Sequence, residues 1–458
     1  MLNPSIFRSY DIRGLVDQDL IPETVNLIGK GYGTFIQKIS GKNIVIGGDN
    51  RSSTEKFRQY LTDGLLSTGC NVTNIGISMS PMLYFANYFY KFDGGIQITG
   101  SHNPIEFNGF KLVKKGLDSV FGDEIQEIKE IIEQKQFIQG QGRLEKKEIF
   151  ADYQKEIFQR IELNRKIKAV VDCGNGTGSF FIPGLLRGLG LEIVELYCTS
   201  DPTFPNHLPD PEVEANLRDL MQKVIEEKAD LGIAFDGDAD RVGIVDEKGK
   251  RYEADELMLI LAKDLLTRHK DMPIVVDVKY SQAVIDKINQ LGGKAIIWKT
   301  GYPNIKNKMQ ETGSLLGGEV SGHVFLKEDY FGFDDATFAV CKILEIFSQT
   351  RVPFSDLFKD LPKIFSTPEI KTPCPDEKKV KIVEELIDYF KSKYNCILVD
   401  GVRIQLDDGS WGLVRYSNTN PYLTLRFEAP TQKRLDQAKA IIINELKKYK
   451  EVDLSEVK

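Results

Sequence analysis

Apolar runs that stop at a polar turn recur along this chain. Each leads into an amphipathic stretch and then a second apolar run. Near residue 44, NIVIGGDNRSST is followed by a helical pattern ending LLSTG and then by NVTNIG. Near 168 the order is KAVVDCGNGTGS, IPGLLRGLG, LEIVELY, and near 273 it is PIVVDVKYSQ, AVIDKINQLGG, KAIIWKTG. β-Branched runs predict strands, the 3.6-residue apolar spacing between them predicts helices, and the glycines predict helix stops. Strand, helix, strand in that order implies right-handed βαβ units and mostly parallel pairing. The repeats lie roughly 100 to 125 residues apart, an ordinary domain size. Seams rich in Glu, Lys and Gln at 123–148 and a break near 248–256 divide them into domains at 1–148, 149–250 and 251–362. The last hundred residues read differently. A helix, KKVKIVEELIDYFKSKY, precedes the short runs CILVDGVRIQL, GSWGLVRYS and YLTLRFEA, and TQKRLDQAKAIIINELKKY closes as a second helix. Turn signals at Asp400-Gly401 and Asp408-Gly409 predict an antiparallel α+β module over 363–458, with Pro362, Pro368, Pro373 and Pro375 as a linker before it. The expected fold is therefore three related α/β domains with mixed, mostly parallel sheets plus a C-terminal α+β domain.

Composition narrows the function. A chain of 458 residues, 41% hydrophobic and 28% charged, is that of a soluble protein of several domains. A net charge of −7 gives no general attraction for nucleic acid or an anionic membrane, so an anionic ligand needs a local cluster of Arg and Lys. No apolar run reaches the length of a membrane span, and the opening MLNPSIFRSYDIRG lacks the apolar core of a signal peptide. The six cysteines, at 70, 173, 198, 341, 374 and 396, form no CxxC pair, which predicts reduced thiols in a cytoplasmic protein. Only four histidines are present, too few for multi-histidine metal chemistry.

Four segments carry chemistry. In GGIQITGSHNP, residues 94–104, an apolar run ends at Ser101 and His102. Position 99 is Thr and position 103 is Asn, so this is not the G-x-S-x-G elbow of a serine hydrolase, and no GxxxxGK[ST] loop occurs anywhere. In ADLGIAFDGDADRVGIVD, Asp236, Asp238 and Asp240 alternate with Gly and Ala and can converge on one hard cation; all-oxygen ligation suits Mg²⁺. Without a cation each acid would raise the others' pKa. An EF-hand is excluded because its sixth position here is Arg241 and strands flank the loop. GGEVSGH places Glu319, Ser321 and His323 on a glycine-flanked loop, a mixture that suits sugar hydroxyls, although a satisfied loop histidine is the ordinary alternative. In VRYSNTNPYLTLRFEA, Arg415, Ser417, Asn418 and Thr419 offer either a phosphate cradle or an ordinary polar hairpin. FRSYDIRG adds Arg8 and Arg13 near Tyr10, and FNGFKLV adds Lys111 just downstream of Ser101; each adds positive charge, with surface charge as the ordinary alternative when taken singly. One function joins the parts: a phosphate carried on Ser101, neutralised by Mg²⁺ on the three aspartates, and a phosphosugar gripped opposite.

The sequence resembles the α-D-phosphohexomutase family, in particular its bacterial phosphomannomutase/phosphoglucomutase branch. The resemblance runs in family order through FRSYDIRG, TGSHNP, FNGFKLV, DGDADR, DVKYS, WKTG, GEVSGH, FGFDD and RYSNTNP. It implies four domains around a central cleft, the last of them TATA-binding-protein-like. It also implies that Ser101 is a phosphoserine whose phosphate completes the metal shell of Asp236, Asp238 and Asp240. Glu319, Ser321 and His323 would bind sugar hydroxyls, and Arg415, Ser417, Asn418 and Thr419 the phosphate not being transferred. Tyr10, Arg13, Lys111, Arg241 and Lys279 would line the cleft. Lys111 assisted by Arg13, or His323, would move protons, and His102 would orient the serine loop. The implied reaction exchanges phosphate between C1 and C6 of mannose and glucose phosphates through a 1,6-bisphosphate that turns over in place. Glucose 1,6-bisphosphate would be its activator and intermediate. The expected partners are small hexose phosphates only, with no nucleic acid or membrane, and the enzyme would be a monomer. WKTGYPNIK departs from the pattern, with Tyr302 where bacterial relatives usually carry His; tyrosine can hydrogen-bond a hydroxyl or phosphate but cannot act as a cation near neutral pH. Phosphoglucosamine mutase is the nearest alternative. A non-catalytic sugar-phosphate binding protein and a Mg²⁺-dependent phosphatase are disfavoured by the serine, the three aspartates and the second phosphate cradle.

Overall fold

The apolar run at residue 44 becomes the strand Asn43–Gly48, which pairs in parallel with Asn71–Ile77 on one side and Gly94–Ile98 on the other. The computed structural model describes residues 2–418, 420–455 and 457. Among these, the first sheet has six strands in the order Ile12–Leu15, Phe107–Lys114, Gly94–Ile98, Asn43–Gly48, Asn71–Ile77 and Leu144–Lys146. Phe107–Lys114 is antiparallel to both its neighbours and sets Lys111 opposite Gln97. The helix Pro22–Lys38 buries Ile28, Tyr32, Phe35 and Ile36 against this sheet's core, each such side chain contributing roughly 1.5–3 kcal/mol. Tyr32 also donates to the Val113 carbonyl at 2.6 Å, so its buried hydroxyl is satisfied.

The second sheet runs Arg251–Tyr252, Val242–Asp246, Leu231–Phe235, Lys168–Asp172 and Glu192–Leu196. Leu231–Phe235 is parallel to Lys168–Asp172 but antiparallel to Val242–Asp246, with Phe235 opposite Val242. The hairpin between them is the DGDADR loop.

The chain divides into two compact units, Met1–Leu261 with Ser321–Leu357, and Ala262–Val320 with Phe358–Lys458. Both sheets above lie in the first. In the second, Lys294–Trp298, Pro273–Asp277 and Leu316–Gly318 form parallel pairs, as the third βαβ repeat predicts. The C-terminal sheet is antiparallel and centred on Trp411–Tyr416 and Tyr422–Ala429, with Asp376–Lys391 and Gln432–Leu446 as its helices. Its core includes Leu386, Phe390, Val414, Leu425 and Ile442. Four α/β domains with mixed sheets result. The proline-rich stretch expected to be a linker is instead structured: Phe365–Ser366 and Ile370–Pro373 both pair with Tyr422–Ala429. Proline is tolerated there because Pro373 ends its strand, where a missing N–H costs little. No helix among the described residues is long and apolar enough to cross a membrane.

Candidate active site

Ser101 lies just beyond the strand Gly94–Ile98, buried, with a φ of 49°. That left-handed backbone is costly for any residue with a Cβ. Three contacts hold it. The Ser101 N–H donates to Thr99 Oγ1 at 2.7 Å, Asp49 Oδ2 accepts from the Gly100 N–H at 3.0 Å, and the Thr99 N–H reaches the Gly109 carbonyl at 3.0 Å. The hydroxyl so presented donates to Asp236 Oδ2 at 2.8 Å, and His102 Nδ1 lies 3.3 Å from the same Oγ. The serine loop and the aspartate loop, 135 residues apart in sequence, therefore meet at the serine oxygen.

The aspartate loop is held by its own first member. Asp236 Oδ1 accepts the Asp240 and Arg241 N–H groups at 3.0 and 3.1 Å, and Ala239 takes a φ of 59° to let the chain turn. Asp236, Asp238 and Asp240 are all fully buried, and one oxygen of each lies within 4.8 Å of the others. Ser80 donates to Asp238 Oδ2 at 2.5 Å. Lys111, for which the segment alone left surface charge open, is buried: its ammonium lies 2.7 Å from Asp238 Oδ2 and also pairs with Asp240 Oδ2. Burial opposes that ammonium's charge, but the three carboxylates outweigh it and hold Lys111 above its ordinary range. Asp238 is held below its own range because Lys111 and Ser80 outweigh the cost of burial. Asp236 is pushed well above the carboxylate range by burial, then by Asp238 and Asp240. Lys111 and the neighbouring Arg241 set two positive charges against three carboxylates and leave the cluster short of one. Asp238 Oδ1 and Asp240 Oδ1 are buried with no hydrogen-bond partner. Two orphaned carboxylate oxygens in an all-oxygen cluster fit a hard divalent cation.

Arg241 and His323 meet beside this loop. Arg241 Nε donates to His323 Nε2 at 3.1 Å, which puts the ring proton on Nδ1, 3.1 Å from Asp334 Oδ2. Asp240, His323 and Asp334 also cluster closely enough to ligate a metal, but the adjoining guanidinium disfavours a second cation there. Ser321 and Tyr10 are half-buried, and Arg13 pairs with Asp11 at 2.7 Å.

The second unit gathers the other expected residues. Glu319 Oε1 accepts the Gly301 N–H at 2.5 Å. The neighbouring Thr300 N–H donates to Asp400 Oδ2 at 3.0 Å, and Arg415 Nε donates to the same oxygen at 2.8 Å. Glu319, the TG turn before Tyr302 and the Arg415 guanidinium are therefore linked by hydrogen bonds, the last two through Asp400. Tyr302 is buried at the start of the helix Tyr302–Thr312. Lys279 Nζ lies 2.8 Å from Glu369 Oε2 and 3.8 Å from Asp277 Oδ2. Burial pushes Asp277 up to about 7 against the pull of Lys279, whereas for Glu369 that pull outweighs burial and brings it down to about 2. Beyond Arg415, the Asn420 N–H donates to Ser417 Oγ at 3.1 Å, and Lys379 Nζ donates to the carbonyls of Ser417 and Asn420 at 2.6 and 2.9 Å. Asn418 lies in the same turn, and Thr419 lies outside the described residues.

Ser80, Lys379, Glu369 and Asp400 were not picked out from the sequence. Each binds a backbone group or one charged partner far along the chain, and no local spacing announces that.

Models of the phosphoglucomutase/phosphomannomutase α/β/α domains I, II and III match residues 4–139, 150–249 and 253–365, and the family's C-terminal domain matches 369–445. A phosphomannomutase/phosphoglucomutase of Pseudomonas aeruginosa is 42% identical over 447 residues, 97% of this chain and 96% of the relative. A phosphoglucomutase of Neisseria meningitidis is 40% identical, covering 95% and 96%. The crystal structure of a phosphoglucomutase/phosphomannomutase family protein from Burkholderia thailandensis superposes with a TM-score of 0.92 at 35% identity, covering 98% of both chains.

Proposed function

The chain belongs to the phosphoglucomutase/phosphomannomutase family, and on that premise we propose that it is a phosphomannomutase/phosphoglucomutase. It moves a phosphoryl group reversibly between C1 and C6 of mannose and glucose phosphates, with Ser101 as the carrier. The observation that carries this reading is the buried Ser101 hydroxyl, 2.8 Å from Asp236 Oδ2. His102 Nδ1 lies near this hydroxyl, but the hydroxyl donates to an acid cluster fit for a cation, whereas an acyl-transfer nucleophile would donate to its base.

In the forward half, a free sugar hydroxyl attacks the phosphorus of phosphoserine. The bond from phosphorus to Ser101 Oγ breaks as the bond to the sugar oxygen forms, and the sugar's proton is taken up by the enzyme. His323, or Lys111 assisted by Arg13 once it has lost its own proton, takes that proton up. In the return half, Ser101 Oγ gives up its proton and attacks the other phosphate of the bisphosphate; the bond from that phosphorus to the sugar oxygen breaks, and the departing sugar oxygen takes up a proton. Asp236, Asp238 and Asp240, with the serine phosphate, would hold Mg²⁺, which when bound neutralises charge on the phosphoryl oxygens. His102 orients the serine loop and Arg241 balances charge beside the aspartates. Glu319, Ser321 and His323 bind sugar hydroxyls, while Arg415, Ser417, Asn418 and Thr419 hold the idle phosphate, with Tyr10, Lys279 and Tyr302 completing the contacts. Because the idle phosphate is at C1 in one half-cycle and C6 in the other, generic phosphate donors suit the cradle better than donors shaped to one end of the sugar. Glucose 1,6-bisphosphate is the intermediate and activator. The enzyme acts as a cytoplasmic monomer on small hexose phosphates.

The test is Ser101→Ala, which is expected to bind hexose phosphate and turn over none; an active variant overturns the reading. Steady-state kcat/KM on mannose 1-phosphate, glucose 1-phosphate and glucosamine 1-phosphate then fixes the substrate. A large preference for the amino sugar would replace the assignment with phosphoglucosamine mutase.

A further inference from the structure

The turn Asp49-Asn50-Arg51 follows the strand Asn43–Gly48, and no reaction step above uses the side chains of Asn50 or Arg51. Arg51 is 5% exposed. Its guanidinium donates to four carbonyls of one loop: Nη1 to Pro104 and Phe107 at 2.8 and 3.0 Å, and Nη2 to Ser101 and Asn103 at 2.9 and 2.5 Å. Asp49 Oδ2 lies 3.3 Å from Arg51 Nε and also accepts the Gly100 N–H. Gly100 makes the room, since a Cβ there would stand 2.3 Å from Arg51 Nε. Burying a guanidinium is costly unless it is paired and fully bonded. A loop that merely had to reverse direction would not need one.

Asn50 reaches the other way. Its Nδ2 donates to the Asn175 carbonyl at 2.8 Å and to Ser200 Oγ at 2.9 Å, and its N–H donates to Thr177 Oγ1 at 3.2 Å. Thr177 in turn donates through its N–H to the Gly237 carbonyl at 2.9 Å. Adjacent residues of one turn therefore grip the loop that carries Ser101 and the segment bonded to the loop that carries Asp236.

We propose that Asn50 and Arg51 are positioning residues for phosphoryl transfer, setting the register between the serine and the cation-binding aspartates. The proposal rests on Ser101 being the phosphoryl carrier. Neither side chain is assigned a contact with the sugar phosphate, so their loss affects the transfer step and spares substrate binding. A displacement of about 1 Å between reacting groups costs on the order of 100-fold in rate.

The experiment follows kcat and KM on glucose 1-phosphate, and the single-turnover rate of Ser101 phosphorylation by glucose 1,6-bisphosphate, read by intact mass and peptide mapping. Asn50→Ala and Arg51→Ala are expected to lose about 30- to 100-fold in kcat and in the phosphorylation rate, with KM within about twofold. Millimolar guanidinium is expected to restore Arg51→Ala several-fold and to leave Asn50→Ala unchanged, a response that lost stability alone would not give. If the parent takes up no phosphate at Ser101, the carrier reading itself fails. If the parent is phosphorylated and both variants keep its rate, or lose only KM, the positioning proposal alone is overturned. Should Arg51→Ala not fold, Asn50→Ala decides by the same rates.

Discussion

A Cβ built on Gly237 would stand 2.4 Å from the carbonyl oxygen of Ser101, so the aspartate and serine loops touch backbone to backbone. That oxygen also accepts from Arg51 Nη2 and has little freedom to retreat. Gly237→Ala is therefore expected to push the two loops apart and lower kcat by about 100-fold while leaving the KM for sugar phosphate near the parent's. Stopped-time assays at saturating substrate check this; an unchanged kcat would mean that the loops can separate without consequence.

Exhaustive chelation of the parent enzyme is expected to abolish turnover, and added Mg²⁺ to restore it. Asp238→Asn removes a charge from a fully buried cluster and is expected to lower Mg²⁺-supported turnover by about 100-fold. Mg²⁺ titrations of parent and variant under identical ionic strength read both effects. Full activity in chelator would remove the cation from the reaction.

Lys379 is buried and ties together the carbonyls of Ser417 and Asn420. Lys379→Met keeps the aliphatic stem and removes the donors. The expected result is a rise of about tenfold in KM for hexose phosphates, with a Tm lower by a few degrees as the unpaired carbonyls cost stability. Isothermal titration with glucose 1-phosphate and a thermal melt separate the two effects.

Glu256 supplies a pH prediction away from the site. Burial, then Asp255, raises its carboxyl from 4.5 to about 7. Between those values the folded chain holds a proton that the unfolded chain has released, so stability falls as pH rises through the window. Glu256→Gln retains an oxygen to accept from the Glu253 N–H and carries no titrating proton. Its Tm is expected to match the parent near pH 4.5 and to exceed it by about 2–4 °C at pH 8. Melts across that range test the sign as well as the size.

The strand-and-helix repeats, the hairpin around DGDADR and the antiparallel C-terminal module could all be read from apolar spacing, because each depends on neighbours in sequence. Ser101 and the three aspartates could be read as well, since their residue types and flanking glycines have few other uses. What stayed hidden is chemistry between a side chain and a distant backbone. Arg51 is one arginine in NIVIGGDNRSST until Ser101, Asn103, Pro104 and Phe107 fold around it. The burial of Lys111 could not be read from FNGFKLV alone for the same reason, as its partners lie more than a hundred residues on. Strands Phe365–Ser366 and Ile370–Pro373 were missed because prolines around them outweighed a short pairing that only Tyr422–Ala429 supplies.

The left-handed backbone of Ser101 sets the cost of its hydroxyl. A glycine at position 101 would relieve a strain of about 1–2 kcal/mol, but it would forfeit the bond to Asp236 Oδ2 and add backbone freedom to the unfolded chain. Ser101→Gly and Ser101→Ala would therefore differ in stability through the backbone alone, while both lack the hydroxyl that the proposed carrier role requires.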